Sequence, residues 1–153
     1  MMKIDYIKFT DIRPEDFLPV LNNDKLRLHL MAHDRFTLDS LVDWMDAKLL
    51  VDSQPGCKVR GILCEGELAG WCAIQLEAGK YELAMIIHDS YWGVGKNVFS
   101  DMMGWARDFN HDEVSIHFLH TRPRYKFLTK LAKSVQETEL YGNKFVSYQL
   151  AVI

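Results

Sequence analysis

The residues of this 153-residue chain whose types and spacing could do chemistry crowd into one stretch, Ile86-Ile87-His88-Asp89-Ser90-Tyr91-Trp92-Gly93-Val94-Gly95-Lys96-Asn97. An apolar run passes through two glycines into an amphipathic segment. Glycine permits positive φ and lets backbone approach a ligand with no Cβ in between. The first turn of a helix leaves N–H groups unpaired, and its dipole favours an anion there. Together these features describe a phosphate cradle. GxG is a short motif, and a tight strand-to-helix turn with glycines for sterics alone is the competing reading. The segment is no Walker loop, because no GK[ST] follows four residues after a first glycine.

Glu82 is the second candidate. It is the one carboxylate in an otherwise apolar run from Tyr81 to Ile87. Desolvation raises a carboxyl pKa toward the range where it works as a general base. A strand-end glutamate that pairs with a neighbour or faces solvent is the alternative. His117 and His120, with His111 upstream, raise the question of a metal. His-x-x-His on a strand splays its side chains and no Cys or acid completes a set, so no metal is expected. Between Val114 and Gln136 five bases (Arg122, Arg124, Lys126, Lys130, Lys133) occur without an acid. Such a run is a solvated helix face, a landing surface for a phosphate, or a weak RNA contact. Trp44, Met45, Trp71 and Trp105 read as core.

The elements that must position these groups follow from periodicity. Lys3 to Phe9 alternates as a strand, and Asp11 to Leu21, with Pro14 and two acids near its start, suits a short helix. Thr37 is a plausible N-cap, followed by Leu38, Leu41, Val42, Met45 and Leu49 at helical spacing. Lys58 to Cys64 and Leu68 to Leu76 form a hairpin around Glu65-Gly66-Glu67. Tyr81 to Ile87, after the turn Ala78-Gly79-Lys80, is apolar enough to predict burial on both faces. Val98, Met102, Trp105 and Phe109 make the stripe of the helix after the glycines. Val114 to Leu119 is a strand, a helix runs from Pro123 to about Lys133, and strands Val135 to Glu139 and Lys144 to Val152 close the chain. The order β-α-α-β-β-β-α-β-α-β-β predicts an α+β fold, a mixed sheet with helices on its faces.

Composition bounds the class. Apolar residues make up 48% and charged residues 25%, the mix of a globular domain, and the length suits one domain spanning residues 1–153. Eighteen bases against twenty-one acids give a charge of -3, which disfavours a dedicated nucleic-acid binder. Cys57, Cys64 and Cys72, an odd count without CxxC spacing, read as small apolar residues in a reducing compartment. No signal peptide or membrane span is recognisable, so the expectation is a cytoplasmic protein.

These residues resemble the GNAT N-acetyltransferases. Their acetyl-CoA signature, [Q/R]-x-x-G-x-[G/A], starts the helix after the fourth strand, and Trp92-Gly93-Val94-Gly95-Lys96-Asn97 occupies that frame. Tyr81-Glu82-Leu83 through Tyr91-Trp92-Gly93 resembles the branch that acetylates ribosomal-protein N-termini, where Trp is usual at the first position. The resemblance runs from about Thr37 to the C-terminus. It implies a mostly antiparallel sheet and acetyl-CoA as cosubstrate. The backbone of Met85, Ile86 and Ile87 would pair with pantetheine, and the amides of Val94 to Val98, with Lys96 and Asn97 among them, would take the pyrophosphate. Asn97 departs from Gly or Ala at a crowded position. In the later Asn-x-x-[A/S] motif Thr121 falls at the Asn and Leu128 at the tyrosine that reprotonates the thiolate. Tyr125, one turn earlier, could take that part or simply pack. The implied function is acetyl transfer to a small-molecule amine or a peptide N-terminus by direct attack in a ternary complex. No membrane or nucleic-acid partner is expected, and a homodimer is compatible. A GNAT-like module that binds CoA, or serves as an interaction domain without turnover, is the rival.

Overall fold

The computed structural model describes residues 2–23, 35–119, 126–140 and 142–152. Strand β1 (Ile4–Ile7) is shorter than its alternation predicts. Phe9–Asp11 tighten into a 3-10 turn that drops Phe9 into the core. Helix α1 (Pro14–Leu21) has proline in its first turn, where the missing N–H costs nothing, and Glu15 and Asp16 beside it. Helix α2 (Leu38–Asp52) starts at a reciprocal capping box: the Ser40 N–H donates to Thr37 Oγ1, and the Thr37 N–H donates to Ser40 Oγ.

Strands β2 (Lys58–Cys64), β3 (Glu67–Glu77) and β4 (Lys80–Ile87) form a meander. Its two-residue loops, Glu65-Gly66 and Ala78-Gly79, have positive φ at both positions, the turn that matches the twist of flanking strands. A 3-10 segment (Asp89–Val94) leads into α3 (Gly95–Asp108), then β5 (Glu113–Leu119), α4 (Lys126–Leu131), β6 (Ala132–Leu140) and β7 (Asn143–Ala151). The last helix therefore stops at Leu131, short of Lys133, because residue 132 already pairs with Leu150 in the sheet.

The seven strands lie in the order β1-β2-β3-β4-β5-β7-β6. Every neighbouring pair is antiparallel except β4–β5. This is the mixed, mostly antiparallel α+β architecture that the element order predicts.

A separate core lies on each face. On one, α1 and α2 bury Phe17, Leu41 and Met45 against Val59, Trp71 and Ala73. On the other, α3 sets Val98, Phe99, Met102 and Ala106 against Ile74, Leu83 and Ile87. Each of the larger side chains contributes roughly 1.5–3 kcal/mol of burial.

Two stripes shift from their predicted residues. Phe109 is the C-cap of α3 and is exposed, because the helix has already ended there; Phe99 takes its place inside. On α2, Leu38 and Val42 face outward, while Trp44 and the half-buried Lys48 turn toward the sheet. β4 is only partly covered along much of its length, against the expectation of two buried faces, because its parallel neighbour leaves it early.

Candidate active site

The parallel pairing of β4 with β5 is registered at Glu82↔Ser115 and Leu83↔Ile116, and from there the strands diverge. Residues 84–87 keep their antiparallel partners on β3, from Ala73 to Gly70, and beyond Leu83 the other edge of residues 84–86 faces the opening. An extended polar ligand can pair with that edge as a strand would.

The opening leads to the start of α3. There Val94 is the N-cap, with no side-chain cap hydrogen bond, and the first turn holds no acid. The contrast with the capping box of α2 is direct: one N-terminus is closed by its own side chains, the other has no side-chain cap. Lys96 adds a positive charge in this turn; its ammonium lies 5.1 Å from the centroid of the Phe127 ring, which packs on Phe99.

The glycines act here by size. Neither Gly93 nor Gly95 adopts positive φ, so the conformational reason expected for them fails. A Cβ on Gly93 would meet nothing within 4 Å, and one on Gly95 would lie 3.9 Å from Met85 Cε and 4.0 Å from Ile87 Cδ1. The space over both residues is open, and Gly95 joins the end of β4 to the start of α3. Met85 is partly buried and Ile87 buried on the α3 face, while Ile86 packs on the opposite core. Val94 and Val98 are buried anchors of the turn. Asn97 is exposed, so the crowding expected of it is not created by the chain itself. Trp92 lies in the 3-10 segment. Thr121 and Tyr125, like Arg122, Arg124 and His120, fall outside the described residues.

Glu82 and Ile87 are five residue steps apart along the strand, roughly 16 Å. Glu82 stands where the two strands part, on the α2 face, and is the centre of a polar row. Lys48 Nζ donates to Gln75 Oε1 (2.9 Å), and Gln75 Nε2 donates to Glu82 Oε1 (2.9 Å). Glu82 Oε2 lies 3.4 Å from His117 Nε2, and His117 Nδ1 meets Ser147 Oγ, itself 2.9 Å from Thr138 Oγ1. A carboxylate only accepts, so Nε2 carries the proton in this contact, and in the neutral ring Nδ1 then accepts from the Ser147 hydroxyl. Burial pushes the Glu82 carboxyl up, but hydrogen bonds from His117 and Gln75 and the charge of Lys48 outweigh it, and the net direction is down. The elevated carboxyl expected from an apolar strand is thus corrected. Glu82 is the paired glutamate of the alternative reading and stays ionised. Burial also lowers the pKa of Lys48, with Glu82 and Glu77 opposing.

Trp44 and Trp71 pack edge to face, with centroids 5.2 Å apart, and form the wall beside this row. Lys48 Nζ lies 5.1 Å from the Trp71 centroid and 5.8 Å from that of Trp44. Gln75, Lys48, His117 and Ser147 were not legible as partners of Glu82. Only Gln75 had a signal: counting back from the Ala78-Gly79 turn puts residues 75 and 82 opposite each other. His117, considered only as a metal ligand, instead pairs with Glu82; among the described residues no group of three metal-ligating side chains occurs. A polar cleft of about 430 Å³, bounded by Tyr6, Asp101, Trp105 and Asp108, lies along α3 and β1, away from the strand opening.

The architecture as a whole superposes on a set of solved structures. The chain superposes on the Salmonella typhimurium acetyl transferase that modifies the N-terminal serine of 50S ribosomal subunit protein L7/L12, with a TM-score of 0.72 and 13% identity over 99% of this chain and 95% of that one. Spermidine N-acetyltransferase from Vibrio cholerae, solved with CoA and spermine, gives 0.72 and 11% over 99% and 95%. An acetyltransferase of the GNAT family from Streptococcus pneumoniae gives 0.65 and 14% over 99% and 100%. The fold is that of the GNAT acetyltransferases. No family model matches the sequence, and no curated protein does. At these identities the GNAT likeness is one of architecture, and what the site does must be argued from its own residues. Among the described residues no helix is long and apolar enough to cross a membrane.

Proposed function

We propose that residues 1–153 form one acetyl-CoA-dependent N-acetyltransferase domain, which transfers acetyl to a primary amine by direct attack in a ternary complex. The observation that carries this reading is the divergence of β4 from β5, leading from a carboxylate at one end to an uncapped helix N-terminus at the other. Acetyl-CoA, when bound, supplies an activated thioester.

The chain's own groups do the rest. The backbone of Met85, Ile86 and Ile87, beyond the last β4–β5 pairing at Leu83, would hold the extended arm. The amides of residues 94–98, over which Gly93 and Gly95 leave room, would hold the pyrophosphate, with Lys96 adding charge and Asn97 within reach at the surface. Trp92 and Thr121 join this set through the family frame, and Tyr125 is the candidate to return a proton to the thiolate.

The acceptor arrives as an ammonium and must lose a proton before its lone pair can attack. Glu82 is the acceptor of that proton, directly or through water. His117 acts as a positioning residue that fixes the carboxylate. Structures of this fold include enzymes for a protein N-terminus and for spermidine, and both classes present a primary amine. The Trp44–Trp71 wall beside an ionised carboxylate suits such a cation.

The test is acetyl-CoA consumption with a panel of polyamines, aminoglycosides and peptide N-termini. Turnover on at least one amine is expected. It should fall by about 10²–10⁴-fold in Glu82→Gln, with CoA binding retained. Stabilisation by CoA with no turnover on any amine would leave the binding-module reading in its place.

A further inference from the structure

We propose that Lys48 is itself an acetyl acceptor of this site, so that the chain acetylates its own α2 in cis. The inference rests on the acetyltransferase reading above. It starts from where an amine already stands. The Lys48 ammonium lies on the α2 face of the sheet, the face to which Glu82 points. One side chain, Gln75, links it to Glu82 through two hydrogen bonds of 2.9 Å each. Trp71 and Trp44 flank it at cation–π distance. An amine held beside aromatic faces and one amide away from the proton acceptor is what an acceptor subsite must provide.

The environment favours reaction as well as placement. Burial lowers the pKa of Lys48, which raises the fraction present as the nucleophilic free amine. The long stem needs only to exchange its bond to Gln75 for a position at the mouth of the β4–β5 opening.

In the transfer, the Lys48 ammonium gives one proton to the Glu82 carboxylate. The nitrogen lone pair then forms the new C–N bond, the C–S bond of the thioester breaks, and its electron pair leaves with the CoA sulfur. The second proton lost from nitrogen goes to that thiolate, so the products are acetyl-lysine and CoA.

Lys58 provides an internal comparison. Its pKa is also lowered by burial, but its ammonium sits 4.4 Å from the centroid of Trp105 of α3, on the opposite face. Reactivity set by desolvation alone would mark both lysines. Transfer within the site marks Lys48 only.

The experiment incubates the full chain with acetyl-CoA carrying an isotope-labelled acetyl group, without any added amine, and follows Lys48, Lys58 and the exposed Lys80 by peptide mass spectrometry. Lys48 should be acetylated roughly tenfold or more faster than either, as proximity dictates, at a rate independent of protein concentration. In Glu82→Gln, checked for fold and for thermal stabilisation by CoA, that rate should drop by about a hundredfold. Equal labelling of Lys48 and Lys58, a rate that grows with protein concentration, or an unchanged rate in Glu82→Gln would each overturn the proposal. If acetyl-CoA stabilises the chain and Lys48 stays unlabelled, this inference alone falls; if acetyl-CoA gives no stabilisation, the acetyltransferase reading falls and takes it along.

Discussion

A carboxylate on an apolar strand is pulled two ways, and Glu82 shows which pull wins. Burial alone would raise its pKa, but hydrogen bonds from His117 and Gln75 stabilise the charged form by more. Such a carboxylate stays ionised at neutral pH, and in its proposed role as base it would rely on position rather than elevated basicity. The sign for stability follows. A folded-state pKa below the ordinary value of 4.5 means that the ionised group stabilises the fold above that value, and the contribution is lost as pH falls through the folded value. His117→Gln removes the imidazole beside the carboxylate and leaves the burial. The Glu82 carboxyl should then titrate higher in a carbon NMR experiment, and the stability advantage of the wild type in urea over this variant should vanish under acid. An unmoved Glu82 titration would show that His117 does not hold the carboxylate. The apolar run of β4 singled Glu82 out, because one acid among six apolar neighbours is conspicuous. His117 was invisible as its partner, because the register of a parallel pair is not written in either strand.

At the scale of elements, the sequence was most legible where a backbone rule applies. Thr37 was read as an N-cap from type and position alone, and the capping box bears it out. Both hairpins were placed by their glycines, to within a residue or two. The sequence was least legible where tertiary contact decides. Phe109 matched a helical stripe yet falls beyond the helix, and Lys48, outside the apolar stripe of α2, turns to the tryptophans. Gly70 had no visible role. It lies in β3 opposite Ile87, and a Cβ there would lie 1.9 Å from the carbonyl oxygen of Ile86. Backbone cannot yield as a flexible side chain can, so Gly70→Ala must push β4 away from β3 and distort the edge of residues 84–87. The expected loss is about 1–3 kcal/mol or more in urea unfolding, together with weaker CoA binding in whatever fraction stays folded. A variant with wild-type stability and affinity would refute the link between this contact and the site.

For the whole molecule, the sheet separates two jobs. The α3 core anchors the turn proposed to hold phosphate, while the α1–α2 core carries the wall and the polar row around the proposed reacting end. The β4–β5 opening is the one place among the described strands where both sides meet a parallel pair that comes apart. The fold class was legible because element order constrains topology strongly. The opening itself was implied only by the family frame, since no local pattern announces that two strands will diverge. A ligand spanning it binds the folded chain alone and must stabilise it by mass action. At a hundred times its dissociation constant acetyl-CoA should add about 2.7 kcal/mol. For a chain of this size, with Tm moving about 2–4 °C per kcal/mol, that is a rise of about 5–10 °C. Gly95→Val fills the open space over the first turn of α3 with a branched side chain and should weaken binding by about tenfold or more, or ~1.4 kcal/mol. Its Tm rise at the same acetyl-CoA concentration should be correspondingly smaller, while its Tm without ligand should stay close to the wild type, because a Cβ there meets only ordinary contacts. Differential scanning fluorimetry of both proteins across an acetyl-CoA titration decides it: equal rises would place the pyrophosphate away from Gly95.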